Sequence, residues 1–202
     1  MSDAAPANPT TAPTSFHAPP PTTPGSLAET WEGGQSFEAF LPTAQKNEHL
    51  WQGVWDRALV PDEVAERAAA VPGRWHLLVL NADWCGDASN TVPVLARLAE
   101  RVPNLELRVI ERDEHLDLMD AHLTNGRSRS IPAALLLDAD FVERGWWGPR
   151  PYELQRWVEE EGLRMEPGPR YREVRKWYAR DRGRTTLEEV VAGLEAAAEP
   201  AA

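Results

Sequence analysis

The chain has one cysteine, Cys85, and its setting points most directly to chemistry. It follows a short apolar run, Trp75-His76-Leu77-Leu78-Val79-Leu80, and precedes a segment in which Ala88, Val92, Leu95, Ala96, Ala99 and Val102 recur at helical spacing. A cysteine at such a strand-to-helix junction faces unpaired backbone N–H groups and the positive end of the helix dipole, and both favour thiolate over thiol. The thiolate is the form that attacks disulfides and peroxides. Asp83 and Asp87 stand on either side, and their charges oppose ionisation, so the residues alone leave the net shift open. The competing expectation for a lone cysteine is a small buried hydrophobe. Its place at the C-terminal end of a central strand, where open α/β sheets put their sites, favours reactivity.

Several elements must hold this junction. The run at 75–80 reads as a strand buried on both faces, and the helix after it stops at Pro103-Asn104. Leu105 to Ile110 alternates as a second strand, Leu116 to Leu123 gives a short helix ended by Asn125-Gly126, and Ala133 to Leu137 and Phe141 to Trp147 flank a turn at Asp138-Ala139-Asp140. With Tyr152 to Glu161 as a covering helix, the order is βαβαββα. Four units follow: a Pro/Thr/Ala-rich tail over 1–35, N-terminal helices over 36–70, an α/β domain over 71–161 and a helical extension over 162–202. The tail should be disordered, because residues 1–26 hold seven prolines and five threonines and only Phe16 as an aromatic anchor.

The stretch Ala82-Asp83-Trp84-Cys85-Gly86-Asp87-Ala88 resembles the active-site turn of thioredoxins. Pro93 falls where their long helix carries its proline, Arg129-Ser130-Ile131-Pro132 resembles their cis-proline loop, and Gly148 matches the glycine of their last strand. The likeness covers about Arg74 to Glu161. More narrowly, WCGDA with Leu118-Met119-Asp120, Leu123-Thr124-Asn125-Gly126 and Trp147-Gly148-Pro149-Arg150-Pro151 is similar to a group of bacterial thioredoxin family proteins. The resemblance implies a thioredoxin fold, an α/β architecture with a mixed four-stranded sheet flanked by helices, here with a helical element before it and a helical extension after it. It also implies that Ile131 and Pro132 lie against the sulfur and offer backbone hydrogen bonds to an extended substrate. Two departures matter: Ala88 replaces the second cysteine of the thioredoxin pair, and Val79 replaces the buried aspartate that serves it. An internal disulfide cannot form, so any redox cycle needs an external thiol.

Composition bounds the remaining possibilities. The formal charge of −11, from 21 basic and 32 acidic residues, disfavours general binding to nucleic acid or anionic membranes. No stretch approaches a membrane span, the opening residues lack signal-peptide order, and a single cysteine makes no intrachain disulfide, so a cytoplasmic location is expected. His76, His115 and His122 share no metal-ligand spacing, and no metal is expected. Most of the nine tryptophans, including Trp51, Trp55, Trp75 and Trp157, fall in periodic apolar patterns and should be core, while Trp84 should shape the site. Glu111, Asp113 and Glu114 read as first-turn acids of a short helix. The basic stretch from Arg164 to Arg184 reads as a helix that docks on the acidic domain or on a partner protein.

Two functions are therefore expected. In the first, a monothiol redox protein, the Cys85 thiolate attacks a protein disulfide, a small thiol's disulfide or a peroxide, and an external thiol resolves the product. Trp84, Gly86, Asp87, Ile131 and Pro132 would form its docking rim. No cofactor is expected beyond a low-molecular-weight thiol as co-substrate, whose carboxylates Arg127 and Arg129 could hold; the alternative for these two is solvated loop charges or partners for Asp83 and Asp87. In the second, the chain is a non-catalytic thioredoxin-fold binding or adaptor module. A buried Cys85 would favour the second.

Overall fold

Strand Trp75–Asn81 is buried along its whole length, which is why its sequence is a continuous apolar run and not an alternation. The computed structural model describes residues 13–22 and 25–199. In chain order these form β1 (Phe16–His17), α1 (Ala28–Gly33), β2 (Gln35–Ser36), α2 (Phe37–Phe40), α3 (Glu48–Arg57), α4 (Asp62–Ala70), β3 (Trp75–Asn81), α5 (Gly86–Arg101), β4 (Leu105–Glu111) and α6 (Leu116–Ala121). They continue with β5 (Ala133–Leu137), β6 (Glu143–Trp147), α7 (Tyr152–Glu160), α8 (Pro167–Asp181) and α9 (Arg184–Ala198). The core order βαβαββα is present from β3 to α7.

The sheet order is β1-β6-β5-β3-β4-β2. β3 and β4 run parallel, with Trp75 opposite Leu105 and Asn81 opposite Glu111, while β5 is antiparallel to both β3 and β6. The expected four strands lie at the centre, but among the described residues the sheet has six. Each edge of the four carries a two-residue strand, β1 on β6 and β2 on β4, which covers backbone groups that would otherwise invite pairing with another chain. Two residues are too few for any alternation to be read.

The described part of the tail, residues 13–22 and 25–35, departs from the sequence expectation. Among the described residues of 1–35, Leu27 and Trp31 are buried, and the Trp31 ring meets His76 and Phe141 at centroid distances of 4.7 and 5.9 Å. Phe16 lies over Gly145 and Gly193, where a Cβ at either position would overlap its ring. Proline and threonine dominate the composition, but these few apolar anchors decide the placement. Residues 1–12 and 23–24 lie outside the described part.

The extension is integral to the domain. α9 packs on α4, α5 and β6 and places Leu187, Val190, Val191 and Leu194 in the main core. Its Glu189 carboxylate accepts hydrogen bonds from the Ser15 N–H at 3.1 Å, Trp147 Nε1 at 2.8 Å and the Tyr152 N–H at 2.8 Å. One side chain thus ties α9 to the N-terminal segment, to β6 and to α7. Burial pushes this carboxyl up, and the three donors only partly offset it. α8 packs through Val174 and Tyr178 against Leu154 and Val158 of α7, so the expected docking of the basic helix on its own domain is observed. Among the described residues no helix is long and apolar enough to cross a membrane.

Gly148, at φ 142°, brings the chain so close to the loop before β5 that a Cβ would overlap the Pro132 carbonyl oxygen. Gly148→Ala should therefore lower stability by about 2–5 kcal/mol, from backbone strain and overpacking together. The shift of the urea midpoint measures it, and an unchanged midpoint would contradict this close approach.

Candidate functional site around Cys85

Cys85 is the N-cap of α5, as the strand-to-helix reading requires. Its sulfur accepts from the Ala88 N–H at 3.5 Å, and its own S–H donates to the Ile131 carbonyl oxygen at 3.3 Å. The Ile131–Pro132 peptide bond is cis. A carbonyl oxygen in that place suits a protonated sulfur and repels a thiolate. Only 7% of the residue is exposed. Burial, followed by the Asp87 charge, pushes the thiol up to about 11, against the opposing pull of the Ala88 and Asp87 backbone N–H groups and of Arg150. The helix terminus acts in the expected direction, and desolvation outweighs it.

Of the two acids expected to suppress ionisation, only Asp87 does so. Asp83 turns to the N-terminal helices, where its carboxylate accepts from the Gln45 and Lys46 N–H groups at 3.0 and 2.9 Å. Its carbonyl accepts from Trp51 Nε1 at 2.9 Å. Asp87 instead meets Arg150 at 2.6 Å and accepts from the Tyr178 hydroxyl at 3.0 Å. Arg150 comes from the connection between β6 and α7, and Tyr178 from α8. Three elements remote in sequence thus converge beside the sulfur. Burial, and then the Asp87 carboxylate, push the Tyr178 hydroxyl well above its usual range.

The other expected site residues divide. Ile131 and Pro132 are both buried, so the loop presents backbone to the sulfur and not an apolar rim. Trp84 is 46% exposed, with the Arg112 guanidinium 4.8 Å above its ring, a cation–π contact. Gly86 opens α5 and has no atom within 4 Å of where a Cβ would stand, so nothing there requires glycine. Arg129 does not join the site: it forms a two-pronged ion pair with Asp120, at 2.5 and 2.6 Å, in an exposed loop. Arg127 lines a cavity whose wall also includes Asp87 and Arg150.

Arg150, Tyr178 and Arg112 were not singled out from the sequence. Arg150 stands in the Trp-Gly-Pro-Arg-Pro stretch that carries the family resemblance, so a signal existed. Tyr178 had only its i,i+4 spacing from Val174, and Arg112 had none. Among the described residues no three His, Cys, Asp or Glu side chains are grouped to hold a metal ion.

The neutral thiol has a consequence for stability. Its folded value of about 11 lies above the unfolded value near ~8.5, so its contribution is fully present below ~8.5 and is lost as pH rises through 11. The loss should amount to about 3 kcal/mol. Tyr178 adds a loss of the same sign above ~10. The comparison is therefore with Cys85→Ser, which should unfold less steeply between pH 8.5 and 11 by about that amount; parallel pH profiles would contradict the assignment.

A Pseudomonas aeruginosa protein of unknown function, PA1234, superimposes with a TM-score of 0.67 at 24% identity, over 85% of this chain and 98% of that one. An HIV epitope-scaffold superimposes with a TM-score of 0.65 at 23% identity, over the same shares. At these identities the likeness concerns the fold alone. No curated protein matches the sequence significantly. The sequence model of the thioredoxin family matches residues 34–163, from the start of β2 to the turn after α7, and the chain belongs to that family.

Proposed function

We propose that this chain is a thioredoxin-fold binding module in which Cys85 rests as a neutral thiol. The observation that carries the reading is the buried sulfur, with its S–H on the Ile131 carbonyl and Asp87 as its charged neighbour. With a value of about 11, only about one molecule in ten thousand holds a thiolate at pH 7. A nucleophile of that population gives slow exchange even where access is free. Ala88 and Val79, which remove the resolving thiol and its proton acceptor, agree with a fold kept for contact. Trp84, exposed and capped by Arg112, is the contact residue we assign on this face. The partner is a protein, and we place the chain in the cytoplasm because its one cysteine is free.

Monothiol exchange is the second reading, and the Ala88 N–H on the sulfur favours it. There the Cys85 thiolate attacks one sulfur of a disulfide, the S–S bond breaks, the other sulfur leaves as thiolate, and an external thiol reduces the mixed disulfide. The two separate in one experiment. Reduction of a small aromatic disulfide and consumption of peroxide at pH 7 should proceed at the same rate with wild type and with Cys85→Ser. Turnover that depends on Cys85 would replace the first reading with the second.

A further inference from the structure

A cavity of about 480 Å³ is lined by Asp87 but not by Cys85, and otherwise by the Thr124–Ser130 loop, Arg150, Leu163, α7 and α8. Its size is that of a small-molecule site. In a chain of net charge −11, three guanidinium groups reach this one cavity, from Arg127, Arg150 and Arg170. Arg150 is held by Asp87, and its buried Nε has no hydrogen-bond partner. Among the described residues neither Arg127 nor Arg170 has a carboxylate within ion-pair distance; Arg170 only faces the Tyr171 ring, at 5.2 Å. The one other acid lining the cavity, Glu159, accepts at Oε1 from Asn125 Nδ2 at 2.7 Å and from Gln155 Nε2 at 2.5 Å, so it keeps its charge and the anion must stand towards the arginines.

The hydroxyls complete the pattern. Ser128 and Ser130 share a 2.9 Å hydrogen bond that leaves the pair able to donate outward, and the buried Thr124 hydroxyl lacks a partner. Leu163, Val158 and Val174 supply the apolar part of the lining. Arginine forks with neighbouring hydroxyls are the chemistry that recognises carboxylate and phosphate, and an apolar wall accommodates the body of the molecule that carries the anion.

We propose that this cavity binds a small molecule that carries an oxyanion, with Arg127 and Arg170 on the anion and Leu163 against its apolar part. The site needs no thiolate and does not rest on the state of Cys85, so its failure and the failure of the binding-module reading are separate events. Carboxylate and phosphate share the recognition chemistry, and the test distinguishes them.

The full chain is titrated by calorimetry with phenyl phosphate, with benzoate and with inorganic phosphate. Saturable binding of either aromatic anion is expected, weakened roughly tenfold by Arg127→Gln and by Arg170→Gln, each of which removes one charge-assisted pair. The exposed Arg74→Gln, outside the cavity, should leave the affinity unchanged. Binding of phenyl phosphate alone assigns a phosphate ester, and binding of benzoate alone assigns a carboxylate. Thermal unfolding of each variant checks that the fold persists, and Arg127→Lys should keep part of the affinity. No saturable binding by any probe, or binding indifferent to both arginines while the fold is intact, overturns the proposal.

Discussion

Arg150→Ala should lower stability by about 3–5 kcal/mol, the cost of breaking a desolvated ion pair from one side. Both partners are largely withdrawn from water, with side-chain exposures of 19% for Arg150 and 12% for Asp87. Without the guanidinium, the Asp87 carboxylate keeps only the Tyr178 hydroxyl as a partner in a poorly hydrated place. Removing both members should cost less than removing Arg150 alone, so Asp87→Ala combined with Arg150→Ala should recover part of the loss. Urea unfolding of the two single variants and the double variant measures the coupling. A loss below about 1 kcal/mol would mean a solvated pair, the value of exposed salt bridges. The sulfur gives a second readout with its own sign. Arg150 pulls the Cys85 thiol down, so its removal should make alkylation at neutral pH slower still.

His122→Ala should have a comparable effect at the opposite end of β6, about 4 kcal/mol. The His122 side chain is fully buried, with Nδ1 2.7 Å from the Leu118 carbonyl oxygen and Nε2 2.9 Å from Glu143 Oε1. The other Glu143 oxygen already lacks a partner. Alanine would leave the whole carboxyl buried and unpaired beside a cavity the size of the ring. Replacing the pair with apolar residues, His122→Leu with Glu143→Leu, should restore much of the loss, because neither buried polar group then remains. If His122→Ala costs no more than a typical surface change, Glu143 has found water and the packing described here is wrong. The pair makes no contact with Cys85, so the alkylation profile of the sulfur should not move, which separates loss of stability from an effect on the site.

The central sheet was legible because β3 and β5 are shielded on both faces and read as unbroken apolar runs. Cys85 at the N-cap of α5 was legible for a similar reason: strand and helix periods meet there. The roles of Asp83 and Asp87 were not. Each stands two residues from the cysteine, and sequence distance says nothing of which way a side chain turns. Asp83 is drawn to the Gln45 and Lys46 N–H groups, and Asp87 to a guanidinium 63 positions on and a hydroxyl 91 positions on. The balance at the sulfur is set by burial and by Asp87, and Asp87 is engaged from α8, whose basic and aromatic sequence offered Val174 and Tyr178 as its only inward pair. Arg129 looked like a ligand-holding arginine because of its place before Ile131-Pro132, yet Asp120 engages it nine residues away on α6. The edge strands were lost to their length, and the order of the N-terminal segment was hidden by prolines that surround three effective anchors, Phe16, Leu27 and Trp31.

The rate of Cys85 alkylation by iodoacetamide against pH, in the native chain and in the unfolded chain, tests the central claim most directly, because it reads thiolate fraction and access together. A native midpoint near 11, well above the unfolded value, with slow labelling at pH 7, is the result that a buried thiol on the Ile131 carbonyl beside Asp87 predicts. A native midpoint below the unfolded value, with fast labelling at pH 7, would contradict it and would make Cys85 the nucleophile of a monothiol protein.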